Sequence, residues 1–382
     1  MGKTAYELSG VDYGAMDPFK VKSQRAGVTT ARFLREHGYR EVPWSRGESC
    51  YLIEHTDRYF GFVTEGLGTK NLVVPETDPI FQAADGYPAI GQDNFAMIVN
   101  DMAPLGVQPL VIGMFMAAGS GDWFKNEMAS GGIVEGSLNA AKISRATWGC
   151  GETQTVIGNV TPEGLVLAGG SFGHIYPKKR LMSPFKIRAG DDIVLFASNG
   201  IHANGLTLAR KIAKYLPNGY QTHISYGDHG FRRYGEDLLQ PTVLYSPIIQ
   251  DCLREGIPLH YGVHITGHGW AKLLRSPKPL TYVIERIPEV PELFKLIQDM
   301  SPEVSLERKR MSDKEMYKTF NMGAGFAVYV AHRWTQQVID IADKHNVPAF
   351  LAGYVTKSQG NERYVYIRPK DITFNSEDLK VR

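Results

Sequence analysis

Thr64–Lys70, read TEGLGTK, follows a strand-like run at Tyr59–Val63. Gly66 and Gly68 let the backbone pass close to a ligand. The Glu65 carboxylate suits a divalent cation, and Lys70 is a point charge suited to phosphate. Seven such residues are equally an ordinary glycine-rich loop, so their meaning depends on the flanks.

Upstream, Ser49–His55 (SCYLIEH) and Tyr59–Thr64 (YFGFVT) flank Thr56-Asp57-Arg58 and predict a β-hairpin, with the motif leaving its second strand. Residues 1–48 read as mixed and glycine-bearing, with a helical pattern only at Thr29–His37. Downstream, Ile90–Gly106 (IGQDNFAMIVNDMAPLG) predicts a helix ending near Ala103-Pro104, stopped by Gly106. At about 100° per residue, Phe95, Ala96, Ile98, Val99 and Met102 share one face. Asp93, Asn94, Asn100 and Asp101 fall within roughly 120° on the other. That polar face can coordinate Mg²⁺ and fix a nucleotide, or it can be solvated.

A buried strand is predicted at Pro109–Met116, a helix at Gly131–Thr147 and a strand at Leu165–Tyr176. This alternation indicates an α/β (α+β) fold. The basic, proline-marked stretch Pro177–Arg188 reads as a boundary between domains 1–176 and 177–382. Beyond it come the strand Asp192–Ala197, the loop SNGIHANG with a helix LTLARKIAKYL, the strand–turn–helix GVHITGHGWAKLL, and FNMGAGFAVYV leading into a strand.

With 382 residues, 43% hydrophobic and 21% charged, the chain has the material for two globular domains. A net charge of +2 gives no case for nucleic acid or an anionic membrane as partner. Three dispersed cysteines, Cys50, Cys150 and Cys252, point to a reducing, cytoplasmic setting rather than to disulfides or zinc. MGKTAYELSG has no apolar run of a signal peptide, and Pro109–Ala118 is too short to span a bilayer.

Standard nucleotide fingerprints are missing: nothing matches G-x-x-x-x-G-K-[ST], and GCGETQ lacks the last glycine of G-x-G-x-x-G. In SNGIHANG, a helix starting at Asn204-Gly205 offers free N–H groups to an anion, and His202 can donate to phosphate; the same residues also make a plain turn and cap. Glu152 in GCGET can bind metal or substrate, or stand exposed in a helix C-cap loop. His264 and His268 lack a third zinc ligand, so TGHG reads better as a turn cradling phosphate.

In order along the chain, GVDYGAMDPFK, TEGLGTK, IGQDNFAMIVNDMAPLGVQPL, GCGET, SNGIHANGLTLARK, LLQPTVLY, HITGHGWAKLL and MYKTFNMGAGFAV resemble the phosphoribosylformylglycinamidine cyclo-ligase (aminoimidazole ribonucleotide synthetase) family over most of residues 10–330. The resemblance implies a homodimer in which the N-terminal sheet pairs with its twin to close a barrel, backed by a C-terminal α/β domain. It also implies ATP- and Mg²⁺-dependent ring closure of a small-molecule substrate in purine biosynthesis. By motif it assigns Glu65, Asp93 and Asp101 to an Mg²⁺–ATP acidic cluster. His202, Asn204 and Lys70 fall to the reacting phosphoryl group, and Glu152 with Thr153 to the substrate. Gly66, Gly68, Thr69, Lys70, Asn100, Thr266, Gly267 and Gly269 fall to the nucleotide. An N-terminal lysine of the ATP site corresponds to Lys20 or Lys22, with Lys22 carried in the set. The chain departs from the family pattern at Glu65 (aspartate in the family), after Glu152-Thr153, and at His268 (glycine in the family). A sister ATP-utilising enzyme of the superfamily and a non-catalytic nucleotide-binding paralogue are the alternatives. A selenophosphate synthetase lacks its N-terminal reactive residue here, and the hydrogenase-maturation relative lacks its C-terminal cysteine, the chain ending Lys380-Val381-Arg382.

Overall fold

The computed structural model describes residues 10 and 13–379. Val11 and Asp12 of the GVDYGAMDPFK motif, and the C-terminal Lys380-Val381-Arg382, lie outside the described residues.

Two sheets carry the fold. The first contains β1 (Arg40–Glu41), β2 (Tyr51–Glu54), β3 (Tyr59–Gly66), β4 (Gln108–Ala118), β5 (Thr147–Thr155) and β6 (Leu165–Ile175), in the order β1-β2-β3-β6-β4-β5. The expected hairpin is β2–β3, with Tyr51 opposite Phe62 and Glu54 opposite Tyr59. All pairings are antiparallel except β4–β5, which is parallel. A parallel pair needs a long crossover, and the intervening helix supplies it.

The second sheet contains β7 (Asp191–Ala197), β10 (Tyr261–His264), β11 (Leu280–Ile284), β12 (Ala324–Ala331), β13 (Ala349–Lys357), β14 (Tyr364–Ile367) and β15 (Ile372–Asn375), in the order β10-β12-β7-β13-β11-β14-β15. Between them in sequence, β8 (His223–Ser225) and β9 (Phe231–Arg233) form a separate ribbon. β7 is buried along nearly its whole length, as its apolar run DIVLF requires.

Helix α1 (Tyr13–Val28) occupies the region where only a later helical pattern was expected, and it accommodates Pro18 internally; a short helix, Arg32–Glu36, follows. α2 (Tyr87–Met102) opens with Pro88 in its first turn and ends through a short 3₁₀ segment at Gly106, whose φ of 79° is the left-handed stop that glycine permits. α3 (Glu127–Ser144) is capped by the Asn126 side chain, which accepts from the Ala129 N–H at 3.1 Å.

Glycines set the α2–α3 distance. A Cβ on Gly91 would lie 2.2 Å from the Ile133 carbonyl oxygen, and one on Gly136 would lie 1.8 Å from that of Pro88. The two helices therefore pack backbone to backbone, which holds α2 rigidly beneath the first sheet. α3 ends at Ser144, and WGCGET, expected as a loop after a longer helix, is strand β5. That strand is an exposed sheet edge. The stretch read as a uniformly buried strand, β4, alternates buried and accessible positions.

Candidate functional site

The polar face of α2 is buried rather than solvated, and of its four residues only Asp101 reaches a cavity. Asp93, Asn94 and Asn100 have no exposed surface, and Asp101 is 6% exposed. Asp93 and Asn100 lace α2 to the segment Gln240–Tyr245 of the LLQPTVLY motif, while Asn94 donates to the Ala168 carbonyl of β6 at 3.3 Å. The Thr242 N–H donates to Asp93 Oδ1 at 2.7 Å, and the Thr242 hydroxyl donates to the same oxygen. Asn100 donates to the Val243 carbonyl at 2.7 Å and accepts from the Tyr245 N–H at 2.8 Å. Gln92 donates to the Thr242 carbonyl at 2.9 Å. An extended segment has no sheet partner to satisfy its backbone, and these amide and carboxylate side chains satisfy it.

Lys70 belongs to the same seam. Its ammonium lies 2.7 Å from Asp93 Oδ2 and donates to the Gln240 carbonyl at 2.7 Å, with both side chains fully buried. Burial pulls the Lys70 pKa down and pushes that of Asp93 up, each opposed by the attraction of its partner. Lys70 is thus engaged inside the protein and lies outside the cavity lining described below. Asp93 is engaged likewise, and the described residues hold no group of three or more His, Cys, Asp or Glu side chains arranged for a metal.

Glu65 and Asp101 do meet. Asp101 accepts from His264 Nδ1 at 2.7 Å. Burial works against the Asp101 anion, but the His264 hydrogen bond and the nearby Lys272 outweigh it and hold the pKa low. The proton of the pair therefore resides on Glu65, raised to about 8 by burial and by the Asp101 charge. Two carboxylates forced together and only partly neutralised fit a hard divalent cation, so the pair fits Mg²⁺ without Asp93.

A cavity of about 770 Å³ opens beside this pair. Glu65, Gly66, Gly68, Thr69, Asp101, Asn204, Thr266 and Gly267 of the expected set line it. Lys70, Asp93, Asn100, His202, Gly269 and Lys22 do not. From α1, Lys20 lines the cavity and Lys22 does not, although both are exposed. Helix α4 (Leu206–Ala213) starts at the wall with Gly205, at φ 82°, as its cap, and turns the first N–H groups of Leu206 and Thr207 toward the space. Asn204 Nδ2 is buried there without a hydrogen-bond partner among the described residues. The Thr266–Gly269 turn closes with the Gly269 N–H donating to the Thr266 carbonyl at 2.8 Å. Gly269 itself faces away, where a Cβ would lie 2.1 Å from the Tyr317 carbonyl oxygen.

His202 lies outside the cavity lining. It is 2% exposed, bonded through Nε2 to Asn199 Oδ1 at 3.1 Å and packed against Tyr245. Burial, reinforced by Lys70 and His264, holds it neutral, far below an ordinary histidine pKa. It stands one layer behind the cavity, leaving Asn204 as the polar SNGIHANG side chain at the wall, next to Ala203.

Lys272 and Arg275, which sequence reading did not single out, line the cavity together with His268 of the TGHG turn. The Lys272 ammonium donates to the Thr266 hydroxyl and to the His264 carbonyl at 3.3 Å. Arg275 pairs with Glu48 at 3.0 Å. His268, at φ 67°, reaches Asp17 of α1 at 3.6 Å. The signal was the HGWAKLLR periodicity, which turns Lys272 and Arg275 to the same side as Thr266.

A second depression, a groove of about 560 Å³, crosses the open face of the first sheet. Glu152 and Cys150 of β5, Gly113 of β4 and Gly169–Gly170 of β6 line it; Thr153 does not. Thr64, Glu65 and Gly66 line both the groove and the cavity, and among the described residues Glu65 is the only titratable one to do so.

A half-open, mostly antiparallel sheet backed by two helices, joined to a larger α/β unit across a glycine-rich cavity, defines the class. Residues 188–366 match the family described as AIR synthase related protein, C-terminal domain. The chain is 31% identical over 351 residues to the phosphoribosylformylglycinamidine cyclo-ligase of Methanococcus vannielii, covering 92% of this chain and 91% of that protein. It is 34% identical over 311 residues to the enzyme of that name from Methanocaldococcus jannaschii, covering 80% and 81%. Among solved structures, hydrogenase maturation protein HypE in complex with ATP superposes with a TM-score of 0.53 at 13% identity, covering 83% of this chain and 84% of that one. The chain belongs to the phosphoribosylformylglycinamidine cyclo-ligase family and is an enzyme of the ligase type.

Proposed function

We propose that the protein is an ATP- and Mg²⁺-dependent cyclo-ligase that converts formylglycinamidine ribonucleotide to aminoimidazole ribonucleotide, ADP and phosphate. The observation that carries this reading is the junction at Glu65. A cavity with phosphate-binding features and a groove on the open sheet meet there. Two substrates whose atoms must react across one transferred phosphoryl group need that adjacency.

ATP would occupy the cavity, its phosphates against the α4 N-terminus, Asn204 and the Thr266–Gly267 turn. Glu65 and Asp101 would hold Mg²⁺, which when bound offsets phosphate charge. The ribonucleotide would lie in the groove beside Glu152, with Thr153 farther along the strand. The formyl amide oxygen takes the γ-phosphoryl group and ADP leaves. The amidine nitrogen then attacks that carbon, losing a proton as phosphate departs.

A homodimer fits the same surface. Phe62, Phe172 and Val111 are neighbours across β3, β6 and β4 and are each about two-fifths to one-half exposed. β5 leaves one sheet edge unpaired. A second copy would cover both, with the N-terminal unit at 1–176 and the C-terminal unit at 177–382.

Incubation with ATP, Mg²⁺ and formylglycinamidine ribonucleotide tests the reading, following ADP and aminoimidazole ribonucleotide together. Equimolar appearance of both is expected. ADP without the ring product, or intact ATP throughout, rejects it.

A further inference from the structure

Three cations line the large cavity, and their pairings differ. Lys20 pairs with Asp17 at 3.0 Å, and Arg275 pairs with Glu48 at 3.0 Å. Lys272, 9% exposed, makes no ion pair within contact distance among the described residues. Two of its three donors go to neutral oxygens, the Thr266 hydroxyl and the His264 carbonyl. Glu65 and Asp101 act on it only as neighbouring charges. A buried ammonium is costly unless a counter-charge reaches it, and neutral oxygens supply none. The remaining N–H has the cavity as its outlet, beside the turn and the α4 N-terminus that would receive an anion.

We infer that Lys272 is the cation that binds the polyphosphate of a nucleoside triphosphate in this cavity, the role that the TEGLGTK motif had suggested for Lys70. This rests on the ATP-site reading above. Thr266 fixes the ammonium in place, so the lysine enters binding with little rotamer entropy left to lose. Lys70 has no comparable outlet: Asp93 and Gln240 hold it outside the cavity lining.

The test is calorimetric titration of the full-length protein with ATP and, separately, with adenosine at constant MgCl₂. Lys272→Met is expected to weaken ATP binding by about 10- to 100-fold and leave adenosine binding unchanged, the scale of one charge-assisted hydrogen bond. Lys272→Gln, which keeps a donor for Thr266, is expected to do the same. An unchanged ratio of ATP to adenosine affinity in a folded variant overturns the inference. If neither variant folds, acetic anhydride labelling of the wild type with peptide mass spectrometry decides. Protection of Lys272 by ATP but not by adenosine supports it; equal labelling, or no labelling in the free protein, overturns it. Wild-type protein that binds no ATP would reject the ATP-site reading itself. ATP binding with an indifferent Lys272 rejects only this inference.

Discussion

Lys70 and Asp93 hold each other at 2.7 Å, fully buried, and through Gln240 and Thr242 they tie the first sheet's exit loop to the second half of the chain. Removing one partner leaves the other as an uncompensated buried charge, at a cost of about 3–5 kcal/mol. Lys70→Met and Asp93→Leu should each lower the urea midpoint strongly. The double variant should be less destabilised than the sum of the two, because the stranded charge is gone. Additive losses would show that the residues act separately.

That pair also shows what the sequence could reveal. TEGLGTK exposed its glycines and its position at the end of β3, because strand periodicity and glycine punctuation are local signals. Which atoms Lys70 would meet was not local, since Gln240 is 170 residues away. The four polar residues of α2 were legible as one face, yet a helical wheel does not show what packs against it. Here it is the QPTVLY segment, so Asp93 and Asn100 became seam residues while Asp101, the next residue, kept an edge at the cavity. β5 was misread because its glycines, which in a helix pattern signal a stop, here flatten an edge strand.

Glu65 carries the proton of its pair with Asp101, with a pKa near 8. A divalent cation bound between the two must displace that proton, so metal affinity should rise with pH up to about 8 and level off above it. Mn²⁺ titrated at pH 6.5 and pH 8.5 should bind more tightly at the higher value, with proton uptake by the buffer at the lower. Glu65→Gln should weaken binding and flatten the pH dependence. A wild-type affinity that is independent of pH would place the cation elsewhere.

His202 is buried neutral, its folded pKa far below its unfolded value. Below about pH 6.5 the unfolded chain takes up a proton that the folded chain refuses, so stability falls with acid by up to about 1.4 kcal/mol per pH unit for this group. His268, depressed to about 4 chiefly by burial, acts in the same direction between pH 6.5 and 4. Glu65, raised to about 8, acts in the opposite direction and offsets one of the two histidines. The urea midpoint should therefore fall with acid only below about pH 6.5, where both histidines together outweigh it. In His202→Ala the slope should be shallower, and stability at pH 8 should be lower by about 2–3 kcal/mol from the lost packing. An unchanged slope would mean that His202 is protonated in the native state.

Phe62 and Phe172 face each other across β3 and β6 on the open side of the first sheet, with Phe60 stacked on Phe172 at 5.2 Å between ring centres. Exposed aromatic rings in register on a sheet face are a surface that a second copy can bury, and the groove carrying Glu152 lies beside them. A charge at Phe62 would have to be desolvated on association, whereas in a monomer it would remain in water at little cost. Phe62→Glu should therefore shift sedimentation from dimer to monomer with the melting temperature of the isolated subunit little changed. Activity should fall with it, because the groove would lose its opposing wall. A monomeric wild type, or a Phe62→Glu variant that sediments as the wild type does, would remove this face from the interface.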